Sequence, residues 1–257
     1  MLALKAVRAA FSMYSRIPAG RAEFDEKSFK YALCAFPLIG AAIGMAELAW
    51  AFLCRALGFD TVLYAAAAAA IPAAISGGIH MDGYLDTTDA LNSFGDTKKR
   101  LEILKDPNSG AFAVIGGVIY FMIYFALFTE IKAAEQLEAV CCGYVLSRAL
   151  SAAGAVCFKS ARPSGMLGGV SGASKKRAVI VSACAFIAVF GAAAVTASPV
   201  CGICTLAAAA LAFAHYRLKA YKEFGGVTGD LAGWFLQRCE LAVLAAAVIS
   251  WRIVCIL

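Results

Sequence analysis

Gly77-Gly78-Ile79-His80-Met81-Asp82-Gly83-Tyr84-Leu85-Asp86-Thr87-Thr88-Asp89 interrupts a chain otherwise built of long apolar runs. It opens a polar stretch, residues 80–110, with six carboxylates between Asp82 and Asp106. On a helix turning ~100° per residue, Asp82, Asp86 and Asp89 stand at about 0°, 40° and −20°, so one stripe carries all three. Like charges at this spacing weaken an isolated helix. The bland reading is a solvated acidic face. The chemical reading is a divalent cation held between the carboxylates. Oxygen-only ligands select Mg²⁺ or Mn²⁺, and Mg²⁺ is commonly shared between a few carboxylates and substrate phosphates. The stretch therefore points to phosphate chemistry at a membrane surface.

The runs on either side decide the fold class. Of 257 residues, 62% are hydrophobic and 16% charged, with a mean hydropathy of +0.77; a soluble domain is about a quarter charged. Seven apolar blocks approach the ~20 residues needed to cross a bilayer: 31–54, 60–79, 111–130, 136–158, 178–197, 199–216 and 231–256. Residues 1–30 carry six basic residues and no long apolar core, so no cleavable signal peptide is expected. The expected fold is all-α: a polytopic transmembrane helical bundle of about seven spans, forming a single domain over residues 1–257. Within it, 1–30 is a cytoplasmic amphipathic segment and 80–110 a cytoplasmic Asp-rich catalytic loop.

The net charge of +6 belongs to the membrane rather than to nucleic acid. With seven spans, 18 basic residues fall on one side and 3 on the other, while Arg148 and Arg238 lie inside spans. The positive-inside rule puts the N-terminus and every polar loop discussed here in the cytoplasm. The expected location is a bacterial-type cytoplasmic (inner) membrane. Basic loops suit anionic lipid head groups or a phosphorylated substrate. The ten cysteines are scattered, mostly in apolar blocks, where a thiol packs as a small hydrophobe. Cys201-Gly-Ile-Cys204 has no second pair beside it and reads the same way.

Leu4, Val7, Phe11 and Tyr14 recur at helical spacing and predict a short helix lying in the membrane interface. Residues 23–30 connect it to the first span, in which Gly40 and Gly44 form a small-xxx-small pair for close helix contact. Glu47, in the same span, needs a partner, with Arg148 or Arg238 as candidates. Pro107 and Gly110 form the turn before the next span. Two further polar links, 160–174 and 222–230, are glycine-rich, which permits close backbone approach to a ligand.

The Gly77 to Asp89 motif, followed by Leu101-Glu102-Ile103-Leu104-Lys105-Asp106, resembles the adenosylcobinamide-GDP ribazoletransferase (cobalamin synthase) family. Arg16-Ile17-Pro18, Phe36-Pro37-Leu38-Ile39-Gly40, Ser147-Arg148 and Gly226-Val227-Thr228-Gly229-Asp230 follow the family order, so the resemblance covers most of the chain. The chain departs from it at Ala90, Ala113, Pro107-Asn108 (where the family has Ser-Arg) and Gln237 (where a Glu is usual).

The resemblance implies that α-ribazole, or its 5′-phosphate, is joined to adenosylcobinamide-GDP. GMP leaves and adenosylcobalamin, or its phosphate, forms. Mg²⁺, with Mn²⁺ as substitute, would be held by Asp82, Asp86, Asp89 and Asp106, and Asp89 or Asp106 would accept the proton of the attacking ribose hydroxyl. Substrate contacts would come from His80, Gly83, Lys105, Asn108, Arg148, Arg162 and Asp230. Gly83 would leave room for substrate beside Asp82, and Arg148 would either pair with a buried acid or reach the site from below. The expected partners are the two substrates and the bilayer, with no nucleic acid and a homo-oligomer left open. Two rival readings are an ion-coupled transporter, from the intramembrane charges, and a lipid synthase like the CDP-alcohol phosphotransferases, although the Ala-Arg step of that signature is absent.

Overall fold

A computed structural model describes residues 2–20, 26–163 and 165–256; part of the 23–30 connection lies outside them. The helices in chain order are α1 (Leu2–Tyr14), α2 (Glu26–Phe29), α3 (Ala32–Leu57), α4 (Thr61–Ser76), α5 (Ile79–Asn92), α6 (Thr97–Ile103), α7 (Ala111–Thr129), α8 (Ala134–Cys157), α9 (Met166–Ala173), α10 (Lys176–Ala197), α11 (Pro199–Phe224) and α12 (Gly229–Ile256). Six are long and apolar enough to cross a membrane: α3, α7, α8, α10, α11 and α12. The pair α4 and α5 makes a seventh if counted as one broken span. The molecule is a multi-pass helical membrane bundle, consistent with about seven spans.

Helix α8 is the hub, packed against α3, α10, α12 and α11. Gly40 and Gly44 explain how α3 approaches it. A Cβ on Gly40 would stand 2.3 Å from the Tyr144 carbonyl oxygen, and one on Gly44 3.1 Å from the Cys141 Cβ. Between α8 and α12, Arg148 donates to Glu240 at 2.6 Å, and both side chains are almost wholly buried. Neither arginine reaches Glu47. The Tyr144 hydroxyl donates to it at 3.5 Å, while Arg238 stacks over the Trp234 ring, 5.2 Å from its centroid. Two arginines were available, and packing gave the buried one to Glu240.

Helix α1 forms where the spacing predicts a short helix. Its buried face is Ala6, Ala9 and Ala10, set against α3, while Leu4 stays exposed. Small side chains let α1 lie close on the bundle. The cysteines are all free; Cys201 is buried and accepts a hydrogen bond from Ser250 at 3.3 Å.

The largest difference is at residues 80–110. Gly77 (φ 67°) and Gly78 (φ 79°) both adopt the left-handed conformation, which glycine alone enters freely. They end α4 and swing α5 away by 97°. The helix expected for the Asp stripe forms as α5, with α6 following it, and α5 buries His80, Met81, Gly83, Tyr84, Thr87 and Ala90 against α12 and α7.

Candidate active site

Two glycines bring α5 and α12 together. A Cβ on Gly83 would lie 2.7 Å from the Asp230 carbonyl oxygen, and one on Gly233 2.9 Å from the His80 carbonyl oxygen. Gly83 was expected to leave room for substrate beside Asp82; the backbone of α12 fills that room instead. The close approach sets Asp82 and Asp230, from helices far apart in sequence, on the wall of one cavity of about 290 Å³.

Leu33, Phe36, Ala155 and Leu236 give this cavity an apolar lining, and Asp82, Asp230, Arg162 and Thr228 are among its polar groups. Thr228 caps α12, accepting from the Leu231 amide at 3.2 Å and donating to Asp230 at 3.5 Å. Arg162 stands 3.9 Å from the Asp230 carboxylate and also donates to the Leu101 carbonyl oxygen. Its loop is held by a short parallel bridge between Ser160 and Val227. Gly226 permits that bridge, since a Cβ there would meet the Lys159 carbonyl oxygen at 2.4 Å. The glycine-rich links 160–174 and 222–230 thus hold each other and set one guanidinium beside the Asp230 carboxylate.

His80 lines the same cavity but is only 5% exposed. Its ring lies 6.5 Å from Tyr14 and 5.7 Å from Phe36. Its Nε2 has no hydrogen-bond partner among the described residues. Burial raises the Tyr14 hydroxyl pKa to about 12.

The other expected residues separate into two groups. Asp86 and Asp89 stay in the acidic field: the charges of Asp82, Asp230 and Asp89 all bear on Asp86. Asp89 packs over Gly110 at the start of α7, so closely that a Cβ there would be 2.3 Å from its Oδ1. Asp106 is different. Pro107 follows the end of α6, and the exposed Asp106 carboxylate accepts from the Asn108 amide and side chain, both at 2.9 Å. Those bonds hold its pKa below the usual carboxylate range. Lys105 and Asn108 are exposed like Asp106, and none of the three lines the cavity. Arg148 is committed to Glu240 inside the bundle and does not line it either. Asp106, Lys105, Asn108 and Arg148 therefore stand outside this cavity, and Asp86 and Asp89 do not line it either.

Among the described residues, no three His, Cys, Asp or Glu side chains stand close enough to hold a metal ion. The expected ligand set of Asp82, Asp86, Asp89 and Asp106 is not assembled. The donor chemistry still fits Mg²⁺, because that ion takes one or two carboxylates and completes its shell with water and phosphate oxygens. Asp82 and Asp86, one turn apart, would hold it. Sequence reading missed Tyr14, Phe36 and Thr228 as cavity residues. The one signal was that Phe36 and Thr228 fall within two of the stretches that resemble the family.

The family model described as cobalamin-5-phosphate synthase matches residues 6–248. The chain is similar to an adenosylcobinamide-GDP ribazoletransferase from Lachnoclostridium phytofermentans, 42% identical over 94% of this chain and 92% of that one. It is 34% identical to the protein of that name from Stutzerimonas stutzeri, over 84% and 85% of the two chains. The Clostridium botulinum protein of that name is 30% identical over 95% and 96%. No solved structure matches.

Proposed function

The chain belongs to the cobalamin-5-phosphate synthase family of enzymes, and we propose that it joins α-ribazole, or its 5′-phosphate, to adenosylcobinamide-GDP with release of GMP. A ribose hydroxyl attacks the phosphorus nearer the cobinamide. The new P–O bond forms as the bond to GMP breaks, and a carboxylate takes the hydroxyl proton. The observation that carries this reading is the meeting of Asp82, Asp230 and Arg162 on one cavity wall. Phosphoryl transfer needs positioning and charge stabilisation more than covalent chemistry. A guanidinium suits the diphosphate oxygens. Asp230, beside it, is placed to take the proton, a role the sequence alone assigned to Asp89 or Asp106. Mg²⁺ or Mn²⁺ bound by Asp82 and Asp86 would supply neutralisation of the diphosphate charge. The cavity is lined by Tyr14 of α1 and by Arg162 of a basic link, which supports a site facing the cytoplasm from the cytoplasmic membrane.

The test is GMP release by purified protein supplied with adenosylcobinamide-GDP, α-ribazole 5′-phosphate and Mg²⁺. Turnover is expected from wild type and its loss from Asp82→Asn and Asp230→Asn. A well-folded wild type that releases no GMP overturns the assignment.

A further inference from the structure

A second cleft, of about 380 Å³, lies between α5, α6, α11 and α12. Its charged lining comes from Arg100, Lys219, Glu223 and Arg238, beside His215 and Trp234. The proposed transfer uses none of these residues. Glu223 pairs with Arg100 at 2.6 Å and with Lys219 at 3.5 Å, so the cleft's single carboxylate serves two of its three cations. Arg238 has no carboxylate partner among the described residues; it lies exposed against the face of Trp234. The buried Nε of Arg100 also lacks a hydrogen-bond partner. The cleft therefore has two positive charges in excess and unused donors.

Depth gives the ligand class. Arg238 is nine residues into α12, about 13 Å along its axis. An exposed arginine so far down a spanning helix is costly unless an anion meets it. Helix α5 also lines an apolar groove beside the cleft. Thr88 and Asn92 line the cleft, while Met81 and Leu85 line a groove of about 590 Å³ formed with α7. Spacings of four, three and four put these four residues on one face of α5, about a quarter-turn from the Asp stripe. That face is apolar at Met81 and Leu85 and polar at Thr88 and Asn92. Val118 and Met122, also lining the groove, are 54% and 65% exposed.

We propose that this cleft and groove together bind one anionic phospholipid. Its phosphate lies among Arg238, Lys219 and Arg100, and an acyl chain runs between α5 and α7. A lipid seated there braces the outer side of the helix that carries Asp82 and Asp86.

The protein is placed in nanodiscs of phosphatidylcholine alone or with phosphatidylglycerol, and its Tm and bound lipid are measured. Phosphatidylglycerol is expected to raise the Tm and to be retained preferentially. Arg238→Gln should weaken that preference about fivefold, and adding Lys219→Gln should weaken it further. A photoactivatable phosphatidylglycerol should label α5 and α12 in wild-type protein, a readout that needs no variant. Equal Tm in both nanodiscs, or labelling only elsewhere, overturns the proposal. So does an equal Tm rise from inorganic phosphate in detergent, abolished by Arg238→Gln, because the cleft would then be a free-phosphate site.

Discussion

Gly83 of α5 rests on Asp230 of α12 so closely that a Cβ on it would lie 2.7 Å from the Asp230 carbonyl oxygen. Backbone cannot swing aside as a side chain can. Gly83→Ala should therefore push the two helices apart, cost about 1–3 kcal/mol, lower the Tm and reduce activity by separating Asp82 from Asp230. Gly229→Ala is the control, because nothing lies within 4 Å of a Cβ there; its Tm should match wild type.

The Arg148–Glu240 pair is buried at 2.6 Å. Removing one partner strands a charge, so Arg148→Met should cost about 3–5 kcal/mol. Arg148→Met combined with Glu240→Leu should recover most of that loss. A thermal-stability cycle over the four proteins checks this. A double variant no more stable than Arg148→Met would mean that the pair is not an isolated unit.

The acidic residues should divide by position. Asp82→Asn and Asp86→Asn are expected to lower GMP release about a hundredfold or more. Asp106→Asn, exposed in its own turn, should keep most activity. EDTA should abolish turnover, and Mg²⁺ should restore it. A severe loss in Asp106→Asn would return that residue to the site.

Tyr14 supplies a pH dependence. Its folded pKa is raised to about 12 from an unfolded value of 10.0, so the folded state favours the neutral phenol. Stability is therefore unaffected below pH 10 and falls as pH rises from 10 towards 12. Acrylamide quenching and Tm measured across that window should show α1 loosening, and Tyr14→Phe should remove the trend. The same loss in Tyr14→Phe would assign it to another group.

The parts legible in the sequence are those set by local rules. Apolar runs gave the spans within a few residues: α3 follows block 31–54, α7 follows 111–130 and α8 follows 136–158. The Gly40 and Gly44 pair gave a close helix contact, and the Asp stripe follows from helical spacing alone. The burial of residues 80–110 was not legible, because a polar stretch between apolar runs looks the same whether it is solvated or folded back. Gly77 and Gly78 turn α5 by 97° and bury half of it, and charge and hydropathy do not register a turn.

The chain by itself determined that it lies in a membrane, that its acids gather at one end, and which family it resembles. These are properties of composition, period and motif, and each needs only neighbouring residues. Tertiary structure alone decided that Asp230 rather than Asp106 joins Asp82. It also decided that Arg162 stands beside Asp230 while Arg148 is committed to Glu240. Those choices join residues up to about 150 positions apart. They depend on which backbones can touch, and here glycines at 83, 226 and 233 set that.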